Sequence, residues 1–136
     1  MTNTAQTAAP KKHERPLSPH LQVYRLPMTA ILSITHRMTG VALSAGCLLI
    51  TAFLVSAAVS QDYFDLIRDF AITPYGTAIL FAWSMALYYH LFSGIRHLIW
   101  DTVHLLEPRA AIVSGWIVLL CASGMTALTW YCASLY

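Results

Sequence analysis

Charge is scarce in this sequence. Asp, Glu, Lys and Arg together make up 10% of its 136 residues, against about 25% in ordinary soluble domains. None of them stands between Arg37 and Asp62, between Asp69 and Arg96, or after Arg109. Each of these gaps exceeds the roughly 20 apolar residues with which an α-helix crosses a hydrocarbon core of about 30 Å. That pattern excludes an ordinary soluble fold, and three spans leave no length for a separate soluble catalytic domain. A net charge of +2 offers no basic surface for nucleic acid.

Cysteine is sparse as well. Cys47, Cys121 and Cys132 lie in apolar runs and form neither C-x-x-C nor C-x-x-C-H, so neither a zinc site nor covalent haem attachment is indicated. They read as small, polarisable packing residues. The opening "MTNTAQTAAPKKHERPLSPH" lacks the apolar core of a signal peptide and the arginine content of a transit peptide. The expectation is a multi-pass protein of a bacterial inner membrane rather than a mitochondrial one. Internal repeats and low-complexity tracts are missing too.

What the sequence does contain is hydrophobic: 57% of it. The reading is an all-α membrane protein with three transmembrane helices, spanning about 29–60, 75–104 and 109–133, within an anchor domain of residues 28–136. Pro27, Pro74 and Pro108 stand where a helix tolerates proline, before or inside its first turn. Residues 1–27 are expected to form an inner-side segment, polar and disordered at first, then extended because Pro16, Pro19 and Pro27 forbid a long helix. Seven of the eight basic residues lie before or near the start of the first span or around the second connection (Lys11, Lys12, Arg15, Arg25, Arg37, Arg96, Arg109). The first connection carries Asp62, Asp65 and Asp69 against Arg68 alone. Basic residues stay inside, which predicts an inner N-terminus and an outer C-terminus.

Ionisable residues inside a span cost roughly 2.5–3.5 kcal/mol each on insertion scales, so those present are functional candidates. In the second span His90, Gly94, His97, Asp101 and His104 recur at the spacing of one helical face, with Ser93 beside them. The first span repeats the device with Ser33, His36, Arg37, Gly40 and Ser44. At 1.5 Å per residue His90 sits roughly 20 Å from the inner end of its helix, deep in the membrane. His36, Arg37, Arg96, His97 and Asp101 lie nearer the inner surface. An imidazole at that depth can be an axial haem ligand, a proton relay or a hydrogen-bonded core residue. Gly94, one turn away, would let a flat macrocycle approach the backbone, and His36, Arg37 and Arg96 would neutralise its propionates. Those features favour haem. Taken singly, His36 and His97 also fit as interfacial residues, Arg96 as a cation snorkelling to the headgroups, and Asp101 as a solvated helix end. His13, His20 and His104 read as surface residues.

The string "RPLSPHLQVYRLPMTAILSITHRMTG", residues 15–40, resembles the N-terminal signature of the large cytochrome b membrane-anchor subunits of succinate dehydrogenase, respiratory complex II. The string "HLFSGIRHLIWDTV", residues 90–103, is similar to that family's second signature: a histidine, three residues, Gly-Ile-Arg-His, then an aspartate. The two stand in the expected order, in a three-span layout that covers nearly the whole chain. The resemblance implies one haem b, with His90 as an axial ligand to its iron and His36 and Arg37 near the propionates. It implies a ubiquinone pocket lined by Ser33 and Arg37, with Arg96, His97 and Asp101 in supporting roles. It also implies partners: a second small membrane-anchor subunit, an iron–sulphur subunit and a flavoprotein subunit, with succinate oxidised outside this chain. Because no other histidine matches His90 in depth, the second axial ligand is expected from a partner subunit. On its own the chain is then no enzyme. Two alternatives stand beside this reading: the anchor of a quinol:fumarate reductase, and a haem-free membrane subunit whose histidines relay protons or serve assembly.

Overall fold

The computed structural model describes residues 25–135, which form four helices. They are α1 (Met28–Val59), α2 (Gln61–Ala71), α3 (Pro74–Asp101) and α4 (Pro108–Ser134). Helices α1, α3 and α4 are long and apolar enough to cross a membrane. The inner-side segment expected at the N-terminus, with its three prolines, falls outside the described residues except for Arg25–Pro27.

Each long helix starts where proline chemistry allows. Pro27 is extended (φ −64°, ψ 151°), and its carbonyl accepts from the third and fourth helical N–H groups, Ala30 at 3.0 Å and Ile31 at 3.2 Å. Pro74 and Pro108 occupy the first turns of α3 and α4, where a missing N–H costs nothing. The Thr73 hydroxyl caps α3 by accepting from Gly76 N at 3.1 Å. Gly76 is needed there, because a Cβ would strike the backbone of Phe70 and Ala71 in the tight connection.

Two features depart from the expected layout. The first connection is itself helical: α2 presents Asp62, Asp65 and Asp69 on one edge and rests Phe64 against Phe53 of α1, ring centroids 5.1 Å apart. Arg68 pairs with Asp65 at 3.0 Å and with Asp69 at 2.9 Å. The hydrogen bond to Asp69, aided by both carboxylate charges, raises the Arg68 pKa above its usual value. Helix α3, in turn, stops at Asp101 rather than at Val103 or His104. Thr102 N and Val103 N turn back to the carbonyls of Ile99 and Trp100, and Val103 adopts the left-handed conformation (φ 64°) that ends many helices, though usually with glycine. His104 consequently lies in the loop, exposed, and leaves the stripe that begins at His90.

The buried core is small: Leu32, Tyr89, Val118 and Ala122, ringed by Met28, Met85, Tyr88, Phe92 and Leu119. Most large apolar side chains point outward, among them Val41, Leu48 and Leu120. That arrangement suits lipid as the surrounding solvent. With little apolar burial to hold them, the helices are joined by close approaches and by hydrogen bonds between spans. Leu32 sits over Gly115, and the Trp83 indole occupies the space a side chain at Gly46 would need. Tyr89 donates to Leu32 O at 2.8 Å, Trp130 Nε1 donates to Ser84 Oγ at 3.0 Å, and Tyr88 and Thr129 share a hydrogen bond of 2.7 Å.

Candidate functional site

Helix α3 is 28 residues long, roughly 42 Å at 1.5 Å per residue. His90 stands 11 residues before its end, roughly 17 Å in, near the middle of the span. Its neighbour α1 runs the other way, so the first turns of α1 lie beside the last turns of α3. Gly40 brings the two backbones together: a Cβ there would lie 3.1 Å from His90 Cε1. That proximity lets the imidazole reach across. His90 Nδ1 lies 3.2 Å from the carbonyl oxygen of His36 and 3.2 Å from the hydroxyl of Thr39. A carbonyl only accepts, so Nδ1 carries the proton, and the lone pair of the neutral ring is left on Nε2. No hydrogen bond reaches His90 Nε2 among the described residues.

His36 and His97 complete a row of three imidazoles. The His36 ring centroid lies 4.2 Å from that of His90 and 4.9 Å from that of His97. His97 Nδ1 sits 2.7 Å from Ser93 O, which fixes the same tautomer as in His90. His36 Nε2 is buried without a hydrogen-bond partner among the described residues, a costly state for a polar atom and one that an added group would relieve. Gly94, one turn beyond His90, has nothing within 4 Å of the position a Cβ would take.

The other expected residues divide. Ser33 is half-buried and Arg37 exposed, one turn apart on the same flank of α1. The ion pairs among the described residues are those of Arg68, so Arg37 takes no part in one. Asp101 is the exposed last residue of α3. Ser44 is exposed and returns its hydroxyl to Gly40 O at 2.9 Å, so it is no part of the cluster.

Arg96, expected in the collar above His90, faces elsewhere. Seven residues carry His97 back to the face of His90, but six place Arg96 on another face of the helix. There it is 3% exposed, donating from Nε to Ser114 Oγ at 3.0 Å and from Nη2 to Ala111 O at 2.8 Å. Its guanidinium also stacks 4.1 Å from the Trp100 ring centroid. It therefore braces α3 against α4. Thr39 is the residue that sequence reasoning missed. Its spacing of three from His36 put it on the same helical face, the one signal available.

Residues 11–129 match the model of the succinate dehydrogenase/fumarate reductase transmembrane subunit family. The succinate dehydrogenase cytochrome b556 subunit of Rickettsia felis is 37% identical over 130 residues, covering 96% of this chain and 99% of its own. That of Paracoccus denitrificans is 46% identical over 112 residues, covering 77% and 85%. The cytochrome b560 subunit of Reclinomonas americana is 35% identical over 122 residues, covering 85% and 84%. Three apolar helices, together with relatives from Rickettsia and Paracoccus, make this a multi-pass protein of the bacterial inner membrane. The match runs from ahead of α1 well into α4 and takes in both histidine-bearing helices, and the chain accordingly belongs to the family of succinate dehydrogenase/fumarate reductase transmembrane subunits.

Proposed function

We propose that the chain is the membrane-anchor cytochrome b subunit of a succinate:quinone oxidoreductase, holding haem b on His90 and reducing ubiquinone at a site shared with partner subunits. The observation that carries this reading is the contact of His90 Nδ1 with the His36 carbonyl oxygen and the Thr39 hydroxyl, each at 3.2 Å, which assigns the proton to Nδ1 and leaves Nε2 as a ligand in mid-membrane. Ligating histidines are held in this way, by donation of the other ring N–H to a carbonyl or hydroxyl. The residues around it fit a haem. Gly94 is open where a macrocycle would approach, and the unpartnered Nε2 of His36, next to Arg37, suits a propionate. The names of the relatives, cytochrome b556 and b560, support the same group.

Bound there, haem b would supply a one-electron carrier between the peripheral subunits and quinone. The chain's own residues do the rest. Ser33 donates to a quinone carbonyl oxygen, and Arg37 stabilises the negative charge that develops on it. Electrons come from succinate through a flavoprotein subunit and an iron–sulphur subunit, and a second small membrane anchor completes the membrane part. His97 and Asp101 support the inner side, and Arg96 holds α4 in place. Relatives named as succinate dehydrogenase subunits favour succinate oxidation over the fumarate-reducing direction.

The row of three imidazoles favours one rival reading, a haem-free proton relay. A reduced-minus-oxidised spectrum of the purified complex separates the two. A b-type α-band is expected, and a fully assembled complex without one would leave the relay.

We also propose an inner N-terminus and an outer C-terminus. Arg25 and Arg109 flank one side, and the basic residue on the other, Arg68, is neutralised by its two carboxylates. In a chain whose Cys47, Cys121 and Cys132 are replaced by serine, Asp65→Cys should react with an impermeant maleimide only from the outer face of sealed vesicles. Labelling from the inner face alone would invert the topology.

A further inference from the structure

A hydroxyl one turn from the haem-bearing face has no assigned part in the site. Thr39 Oγ1 donates to His36 O at 2.8 Å, so its proton is spent on its own helix. Its lone pairs face His90 Nδ1 at 3.2 Å. The same construction recurs twice in the fold. Ser84 donates to Phe81 O and accepts from Trp130 Nε1 at 3.0 Å, and Ser114 donates to Ala111 O and accepts from Arg96 Nε at 3.0 Å. Indole and guanidinium nitrogens can only donate. In each of those cases a hydroxyl anchored to the carbonyl three residues back offers its lone pairs to an N–H of another helix. Thr39 repeats the pattern with the one nitrogen in the set whose protonation is a matter of choice.

We infer that Thr39 is a positioning residue for the haem ligand: with the His36 carbonyl it fixes His90 as the Nδ1–H tautomer and tunes the electron density that Nε2 offers to iron. This rests on the haem reading above. Two acceptors converge on one N–H, so the ring is held against rotation about its long axis as well as in tautomer. Donating the Nδ1–H in a hydrogen bond also makes Nε2 a stronger electron donor to the metal. A stronger donor favours the ferric state, so Thr39 lowers the haem potential. Gly40, the next residue, makes the contact possible by admitting His90 to within reach of the α1 backbone.

The test compares Thr39→Val, which keeps shape and loses the hydroxyl, with Thr39→Ser, which keeps the hydroxyl, in the intact purified complex. Thr39→Val should raise the haem midpoint potential, shift the low-spin electron paramagnetic resonance g values, and release haem on the order of tenfold faster. Thr39→Ser should match the parent in all three. Thr39→Ala serves if the valine variant fails to assemble. An unchanged potential and unchanged g values in a haem-loaded valine or alanine variant would overturn the inference. So would faster haem release with both spectroscopic measures unmoved, because that is what loose packing alone produces. A parent complex with no b-type spectrum would instead overturn the haem assignment itself, so the two failures are distinguishable.

Discussion

Replacing His90 with leucine should abolish the low-spin b-type spectrum of the assembled complex, either by losing the haem or by leaving its iron with one protein ligand. Leucine keeps the side chain's bulk at mid-membrane and has no atom that binds iron. The size of the effect follows from ligand number. A haem used for electron transfer is normally closed on both faces, and the described residues offer a single candidate at the required depth. His36 cannot be the opposite ligand, because a macrocycle would have to pass between two rings whose centroids are 4.2 Å apart. The second ligand is therefore expected from a partner subunit. Replacing His36 should consequently leave the iron low-spin, whereas replacing His90 should not. An unaltered low-spin spectrum in the His90→Leu complex would remove this residue from the haem.

The second large effect is expected at the quinone. Ser33→Ala and Arg37→Ala should each depress succinate-driven quinone reduction while succinate oxidation by a soluble artificial acceptor stays near normal. Donors aimed at developing charge are typically worth about 10²- to 10³-fold in rate. The charged guanidinium should sit at the upper end and the neutral hydroxyl below it. One turn of α1 separates the two, Arg37 exposed and Ser33 half-buried on the same flank, and a single head group can meet both. Their losses should therefore combine to less than the sum of the singles. Normal quinone reduction in both variants, measured on fully assembled complex, would locate the pocket elsewhere and reduce these residues to the polar start of a helix.

The parts of this structure that announce themselves in sequence are those set by the bilayer. Uninterrupted apolar runs between Arg37 and Asp62, Asp69 and Arg96, and after Arg109 correspond to α1, α3 and α4, because a helix satisfies its backbone in hydrocarbon within a single segment. Helix α2 was illegible for the opposite reason. Its three aspartates and eleven residues look like a polar connection, and its helical state depends on apolar side chains such as Phe64 finding α1. The end of α3 was also hidden, since valine in a left-handed conformation is not what a sequence reader expects of a helix stop. Within the site, the pairing of His36 with His90 was visible as two polar faces. Which neighbours those faces turned toward was not. Arg96 and Ser44 carry chemistry that fits the site, but their angular positions take them to α4 and to the helix's own backbone. Thr39 looked like one more threonine in a span until the cross-helix distance gave it a partner.

The bracing of Arg96 has a consequence for how the protein is made. Of the three spans α3 has the lowest hydropathy, 1.4 against 2.2 for α1 and 1.9 for α4. An arginine at the centre of a span costs roughly 2.5–3.5 kcal/mol on insertion scales, and Arg96, five residues from the end of α3, adds a part of that. The acceptors that relieve this cost, Ala111 O and Ser114 Oγ, lie on α4 and are synthesised 15 and 18 residues later. During biosynthesis α3 thus reaches the translocon before its solvent inside the membrane exists. Stable integration of α3 is therefore expected to wait for α4, with the two entering as one hairpin. In a ribosome-coupled insertion assay, chains truncated at Glu107 should leave α3 partly uninserted, and chains extended through Ser134 should not. Full insertion of the shorter chain would show that α3 needs no such help.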